Sequence, residues 1–188
     1  MDASIVHELS RIDNYSTLLE DLNNLVQDGL IDADTSSFRF VHDKVREAAY
    51  EMIDNRKQMH FEVGMALLSS FETGQGMKNG TLFVILDQIN HGVPSLLHGE
   101  SERISVAKLN HEAGSQMLQS YNYTSAYQLL SKAVSLLPMD SWITQYDLSV
   151  ESYFLFSKAA YSYRKVDEAK ARSQTSRCHF CSFVDAFI

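Results

Sequence analysis

The sequence holds only two prolines and eight glycines in 188 residues, too few turn-makers for an all-β chain. Cysteine is scarce as well. The only two, Cys178 and Cys181, sit close together at the far end and cannot build a disulfide framework. Cations are outnumbered, with 16 Lys and Arg against 24 Asp and Glu, for a net charge of −8. A chain this acidic has no electrostatic reason to seek nucleic acid or an anionic membrane. No apolar run approaches the ~20 residues of a membrane span. The opening Met1-Asp2-Ala3-Ser4 lacks the basic-then-apolar order of a secretory signal. The expectation is a reduced, cytoplasmic, mainly α-helical protein.

What is present begins with helical periodicity. Ile5, Val6, Leu9 and Ile12 are spaced for one short helix, and Leu18, Leu19, Leu22, Leu25 and Val26 for a second. Ser16 or Thr17 can cap the second helix, and Gly29 suits its left-handed C′ position. Leu30-Ile31 opens a strand, Asp34-Thr35-Ser36-Ser37 makes a polar turn, and Phe38 to Val41 returns as a strand. At His42 the period changes from two to 3.6. Val45, Ala48, Ala49, Met52 and Ile53 then form one apolar stripe, with Asp43 near the helix N-terminus.

Helix, helix, hairpin, helix is the order of a winged helix. The helix that would read DNA, about residues 16–28, has no Lys or Arg but carries Glu20, Asp21 and Asp28. Phosphates and base edges call for cations and donors, so DNA binding is disfavoured.

A further helix runs from Asn55 to about Phe71, and the glycine-bearing stretch 73–80 is the best internal boundary. It lacks the spacing of a phosphate-binding loop. Thr81 to Asn90 fits a buried strand or a helix, and the polar residues Asp87, Gln88 and Asn90 favour helix. Helices are expected over Glu100–Gln119, Tyr123–Leu137 and Ser141–Arg164, with another beginning at Val166. Gly114, Ala126, Ala133 and Pro138 are spaced 12, 7 and 5 apart, the intervals of a tetratricopeptide repeat. Asn110 departs from that pattern. Trp142, Tyr146, Tyr153, Phe154, Phe156 and Tyr161 form an aromatic-rich segment, read as inter-helix packing with a ligand groove as the alternative. Cys178-His179-Phe180-Cys181 lacks the further ligands of a zinc site and the setting of a redox motif, so no metal site is expected.

Several short motifs in order carry a resemblance. Phe40-Val41-His42-Asp43-Lys44-Val45 with Glu47-Ala48-Ala49-Tyr50 resembles the F-x-H-D-x-V-x-x-A-A-Y signature of STAND-like AAA ATPases, found in predicted ATPases attached to protein kinase, sensor and histidine kinase modules. Arg56, His60 and Gly64 match its R-x-x-x-H-x-x-x-G, and Leu82 to Gly92 is similar to its L-F-x-x-x-x-Q-L-N-x-G. Ala107 to Asn110 with Ala113-Gly114 extends the likeness, which runs from about residue 15 to 170.

The residue patterns and the resemblance together give a winged-helix region over 1–72, a glycine-rich linker at 73–80 and a tetratricopeptide-like helical array over 81–172, while 173–188 does not continue the pattern and is expected to be an aberrant or unstructured tail. It also implies that the family's ATPase core, with its phosphate-binding Lys and magnesium-binding Asp, would precede residue 1. The chain itself is then no enzyme and holds no cofactor; ATP or ADP and magnesium would belong to the parent core. His42 matches a histidine that touches nucleotide phosphate in related STAND proteins, and it becomes a candidate nucleotide sensor where that core is present. Its alternatives are a helix cap or a filler of the domain interface. The expected role is a regulatory, protein-binding segment of a signalling ATPase. The alternatives are a free-standing helical adaptor and a winged-helix DNA-binding regulator.

Overall fold

A computed structural model describes residues 3–10, 15–72 and 80–165, together with positions 170 and 174. The tail with Cys178 and Cys181, the helix expected from Val166, and all of the 73–80 stretch except Gly80 lie outside the described residues. The fold is mainly helical, with one small antiparallel hairpin near the N-terminus and helices packed in pairs. The chain divides into two compact units, Met1–Val93 and Pro94–Ile188. Among the described residues no helix is long and apolar enough to cross a membrane.

The first unit opens with α1 (Ala3–Ser10) and α2 (Leu18–Gln27), followed by strands β1 (Ile31–Ala33) and β2 (Phe38–Phe40). Val6, Leu22 and Ile31 form the buried centre of this region, with Leu18, Leu19, Leu25, Val26 and Phe38 packed around them. α2 ends as its sequence predicts. Gly29 adopts φ 70°, Leu30 N–H donates to the Leu25 carbonyl at 3.0 Å and Gly29 N–H to that of Val26 at 3.0 Å, a Schellman closure. The strands pair Ile31 with Phe40 and Ala33 with Phe38.

Asp34 holds the hairpin turn. Its carboxylate accepts from the backbone N–H groups of Ser36 and Ser37, both at 2.8 Å. It also accepts from both serine hydroxyls and from the Arg39 guanidinium, each at 3.0 Å. The Ser36 N–H, followed by the serine hydroxyls, holds the Asp34 carboxyl well below the usual carboxylate range.

Next come α3 (Asp43–Glu51), α4 (Arg56–Glu72) and α5 (Thr81–Gly92). The apolar run at Thr81 is a helix, burying Ile85, Leu86 and Ile89. The sequence reading assigns this helix to the second array. In the structure it pairs with α4, and the two units divide after it, at Val93–Pro94.

The second unit contains α6 (Glu100–Gln119), α7 (Tyr123–Leu136), α8 (Ser141–Thr144) and α9 (Tyr146–Ser162). Asn122 caps α7, its side-chain oxygen accepting from Ser125 N–H at 3.2 Å. Leu137 turns extended (φ −63°, ψ 132°) before Pro138, as the proline ring requires of its predecessor. Ala126, Ala133, Leu130 and Phe156 are fully buried. A Cβ on Gly114 would fall 2.6 Å from Leu130 Cγ, so the α6–α7 approach needs glycine there. Asn110, the departure from the repeat pattern, is also fully buried, and its amide donates to the Val106 carbonyl at 2.9 Å.

One expectation is corrected. Ser141 to Arg164 is not a single helix. Gln145 leaves the helical region (φ −136°, ψ 49°) and splits it into α8 and α9. The break lets Trp142 fold back on Tyr153, with ring centroids 5.0 Å apart. The aromatic segment divides accordingly: Phe156 is core, whereas Phe154 and Tyr161 are 64% and 69% exposed.

Candidate functional site

The signature stretch builds β2 and α3, joined at His42. This residue is the N-cap of α3, with extended backbone (φ −133°, ψ 139°), and its carbonyl accepts from Val45 and Arg46 N–H at 3.0 and 3.2 Å. Its imidazole makes no capping hydrogen bond and is exposed.

α3 is amphipathic, as its period implies, yet none of its residues is buried. The polar side is knitted by Lys44–Glu47 at 3.0 Å and Arg46–Asp43 at 3.2 Å, exposed pairs worth about 0.3–0.5 kcal/mol each. The other side is apolar and open. Met52 is 83% exposed, and Phe40 and Val41, at the strand end that leads into α3, are each about two-fifths exposed. Ala48 and Ala49 are exposed, while Val45 and Ile53 are half-buried. The stripe that would ordinarily face a core therefore faces outward.

At the far end of α3 the second motif forms a joint. Arg56 Nε donates to the Tyr50 carbonyl at 3.0 Å, closing the last turn of α3, and its guanidinium lies 4.6 Å from the centroid of the Tyr50 ring. His60 stands between two partners. Tyr50 Oη is 3.0 Å from its Nε2, and Gln88 Oε1, on α5, is 2.6 Å from its Nδ1. The Gln88 amide nitrogen faces Asp87 Oδ2 at 3.4 Å, so its oxygen faces the imidazole. Nδ1–H then donates to Gln88, and Nε2 accepts from the tyrosine hydroxyl. The His91 ring stacks on His60 at 4.5 Å.

One turn further along, Gly64 meets the backbone of α5. A Cβ there would fall 2.7 Å from Ile89 Cγ1 and 2.8 Å from Ile89 N. Arg56, His60 and Gly64 are thus spaced four apart because all three sit on the helix face that meets Tyr50 and α5. Their joint action is to fix α3, α4 and α5 to one another.

A third cluster lies in the second unit. His111 Nδ1 is 2.9 Å from Ser152 Oγ, and its Nε2 is 3.6 Å from Glu151 Oε2. The residue types are those of a hydrolytic triad, but Ser152 is fully buried and its oxygen faces no open surface. The set ties α6 to α9. Sequence reasoning passed over it because the residues lie 41 apart, at no motif spacing. Among the described residues no three His, Cys, Asp or Glu side chains are grouped to hold a metal ion.

Comparison with known proteins yields one distant likeness. The hybrid signal transduction histidine kinase G of Dictyostelium discoideum is 29% identical over 115 residues, covering 53% of this chain and 3% of that protein. The chain thus corresponds to a small part of its relative's length. No protein-family model and no solved structure matches.

Proposed function

We propose that this chain is a non-catalytic regulatory segment of a larger signal-transduction protein, and that the open face of β2 and α3 is where it docks onto a nucleotide-binding core elsewhere in that protein. The carrying observation is the uncovered stripe. Fully burying an exposed apolar side chain is worth about 1.5–3 kcal/mol, so Met52 leaves most of that unused in the isolated chain, and Phe40 and Val41, each about two-fifths exposed, add a smaller share. The resemblance to STAND-like AAA ATPases supplies the kind of partner. The similarity to a signalling histidine kinase supports the same setting.

On this reading the exposed His42 imidazole, at the lip of the stripe, faces the docked core and reads its nucleotide phosphate. ATP or ADP and magnesium belong to that core. The Arg56–His60–Gly64 joint carries any displacement of α3 into α4 and α5. The tetratricopeptide-like pairing of α6 and α7 offers protein partners a surface. No nucleic acid or membrane is invoked.

The test is substitution in the parent protein. Met52→Asp is expected to leave the fold of this segment intact while separating it from the core, read as new protease sensitivity between them. An unchanged digestion pattern and unchanged nucleotide-dependent signalling would rule the docking out and leave a free-standing helical adaptor as the better account. The chain alone is expected to hydrolyse no nucleotide.

A further inference from the structure

The second unit carries a feature that neither the docking face nor the helix joints use. Two residues other than glycine have positive φ among the described residues: Tyr121 (60°) and Arg164 (65°). Each occupies the C′ position of a Schellman closure. After α6, Asn122 N–H donates to the Met117 carbonyl at 2.9 Å and Tyr121 N–H to that of Leu118 at 3.1 Å. After α9, Lys165 N–H donates to the Ala160 carbonyl at 2.8 Å and Arg164 N–H to that of Tyr161 at 3.1 Å. α2 makes the same closure with Gly29. A side chain in the left-handed region costs about fivefold or more in the folded-to-unfolded ratio.

Both strained residues line the same open cleft, of about 420 Å³, where the α6–α7 turn meets the end of α9. Little in the packing accounts for the side chains. Tyr121 is 78% exposed, and the guanidinium of Arg164 makes no ion pair among the described residues. The remaining aromatic walls are firmly placed. Tyr123 stands edge-on to Tyr121 at 6.4 Å, and Tyr163 rests 5.1 Å from Tyr127, which stacks on the buried Phe156. Among the described residues no carboxylate side chain lines the cleft, and Arg164 is the only charged residue that does.

We infer that this cleft binds an acidic peptide segment of a partner protein, with a carboxylate on Arg164 and an aromatic side chain packed against the Tyr121 and Tyr123 rings. A guanidinium that no described carboxylate pairs complements an acidic group, and tyrosine rings give contact area at little cost in side-chain freedom. The chain's net charge of −8 opposes this only weakly, because charges beyond about 8 Å are screened at physiological salt. The inference is independent of the α3 docking face, since the cleft lies wholly within the second unit.

The strain provides the test. Tyr121→Gly and Arg164→Gly each remove a cleft side chain while giving the backbone the residue it prefers, so both variants should unfold at the same or higher urea concentration. The probe is a fluorescein-labelled peptide of alternating glutamate and tyrosine, with a lysine–tyrosine peptide of equal length as its control. We expect saturable binding of the acidic peptide to the full chain, weakened about tenfold, equivalent to 1.4 kcal/mol, by either variant. The control should bind at least as weakly. Absence of saturable binding, equal binding of the lysine peptide, or binding indifferent to both variants would overturn the proposal. So would a fall in urea midpoint for both variants, which would assign the two side chains to folding.

Discussion

Replacing Gly64 by alanine tests the joint that the structure builds from the second motif. In an exposed helix interior the change would stabilise by about 0.5–1 kcal/mol, because glycine costs more backbone entropy. At this position the new Cβ meets Ile89 Cγ1 at 2.7 Å and Ile89 N at 2.8 Å, with Gln88 Cβ at 3.1 Å. A backbone nitrogen inside a paired helix cannot rotate away, so α4 and α5 must separate. Overpacking of this kind costs about 1–3 kcal/mol. The net expectation is a loss of about 1–2 kcal/mol, concentrated in α4 and α5.

Amide hydrogen exchange is the suitable assay. It reads opening helix by helix and does not require the two units to unfold together. Gly99→Ala is the control. Its Cβ would meet only Glu102 atoms at 3.7 Å, an ordinary contact, so the cost is that of replacing an N-cap glycine, about 1 kcal/mol or less, and falls in α6 rather than in α4 and α5. If Gly64→Ala instead slowed exchange in α4 and α5, the close approach and the joint built on it would be refuted.

Other outcomes follow from the same geometry. Phe156→Ala should cost about 3–5 kcal/mol and loosen α7 with α9, checked by urea titration of the chain, because Phe156 is 1% exposed. His42→Ala should change stability by less than about 0.5 kcal/mol in the isolated chain, since the imidazole is exposed and makes no cap hydrogen bond. Asp34 has a folded-state pKa below its unfolded value of about 3.9. Its contribution is therefore fully present above that value and is lost as pH falls through the lower folded value. Protection of the β1–β2 turn should decline below about pH 4, and Asp34→Asn should remove that dependence, followed by NMR of the Ser36 and Ser37 amides.

Much of the first unit was legible because its signals are local. An apolar helix face, a glycine at a helix end and a polar turn between alternating runs each act over a few residues, and α2, Gly29 and the β1–β2 hairpin stand where they point. The expected cap of α2 does not form, because Thr17 has helical backbone and its hydroxyl donates to the Asp21 carboxylate instead. The α6–α7 pair was legible for the same reason, since Gly114, Ala126 and Ala133 report close approach through their size. The break at Gln145 was hidden because neither glycine nor proline marks it; tertiary packing of Trp142 on Tyr153 accompanies it. Periodicity showed that α3 is amphipathic but not whether anything covers it. The bond between His60 and Gln88 spans 28 residues, and spacing within one helix says nothing of a partner that far away. Tyr121 and Arg164 escaped notice because composition marks a left-handed helix end only when glycine or asparagine occupies it.

The most direct test of the proposed role is the native product, sized by immunoblot with an antibody raised against this chain and matched to full-length transcript sequencing. The account predicts a product many times longer than 188 residues, with a phosphate-binding loop encoded ahead of Phe40 and His42. A product of 188 residues with no such core in its transcript would contradict it.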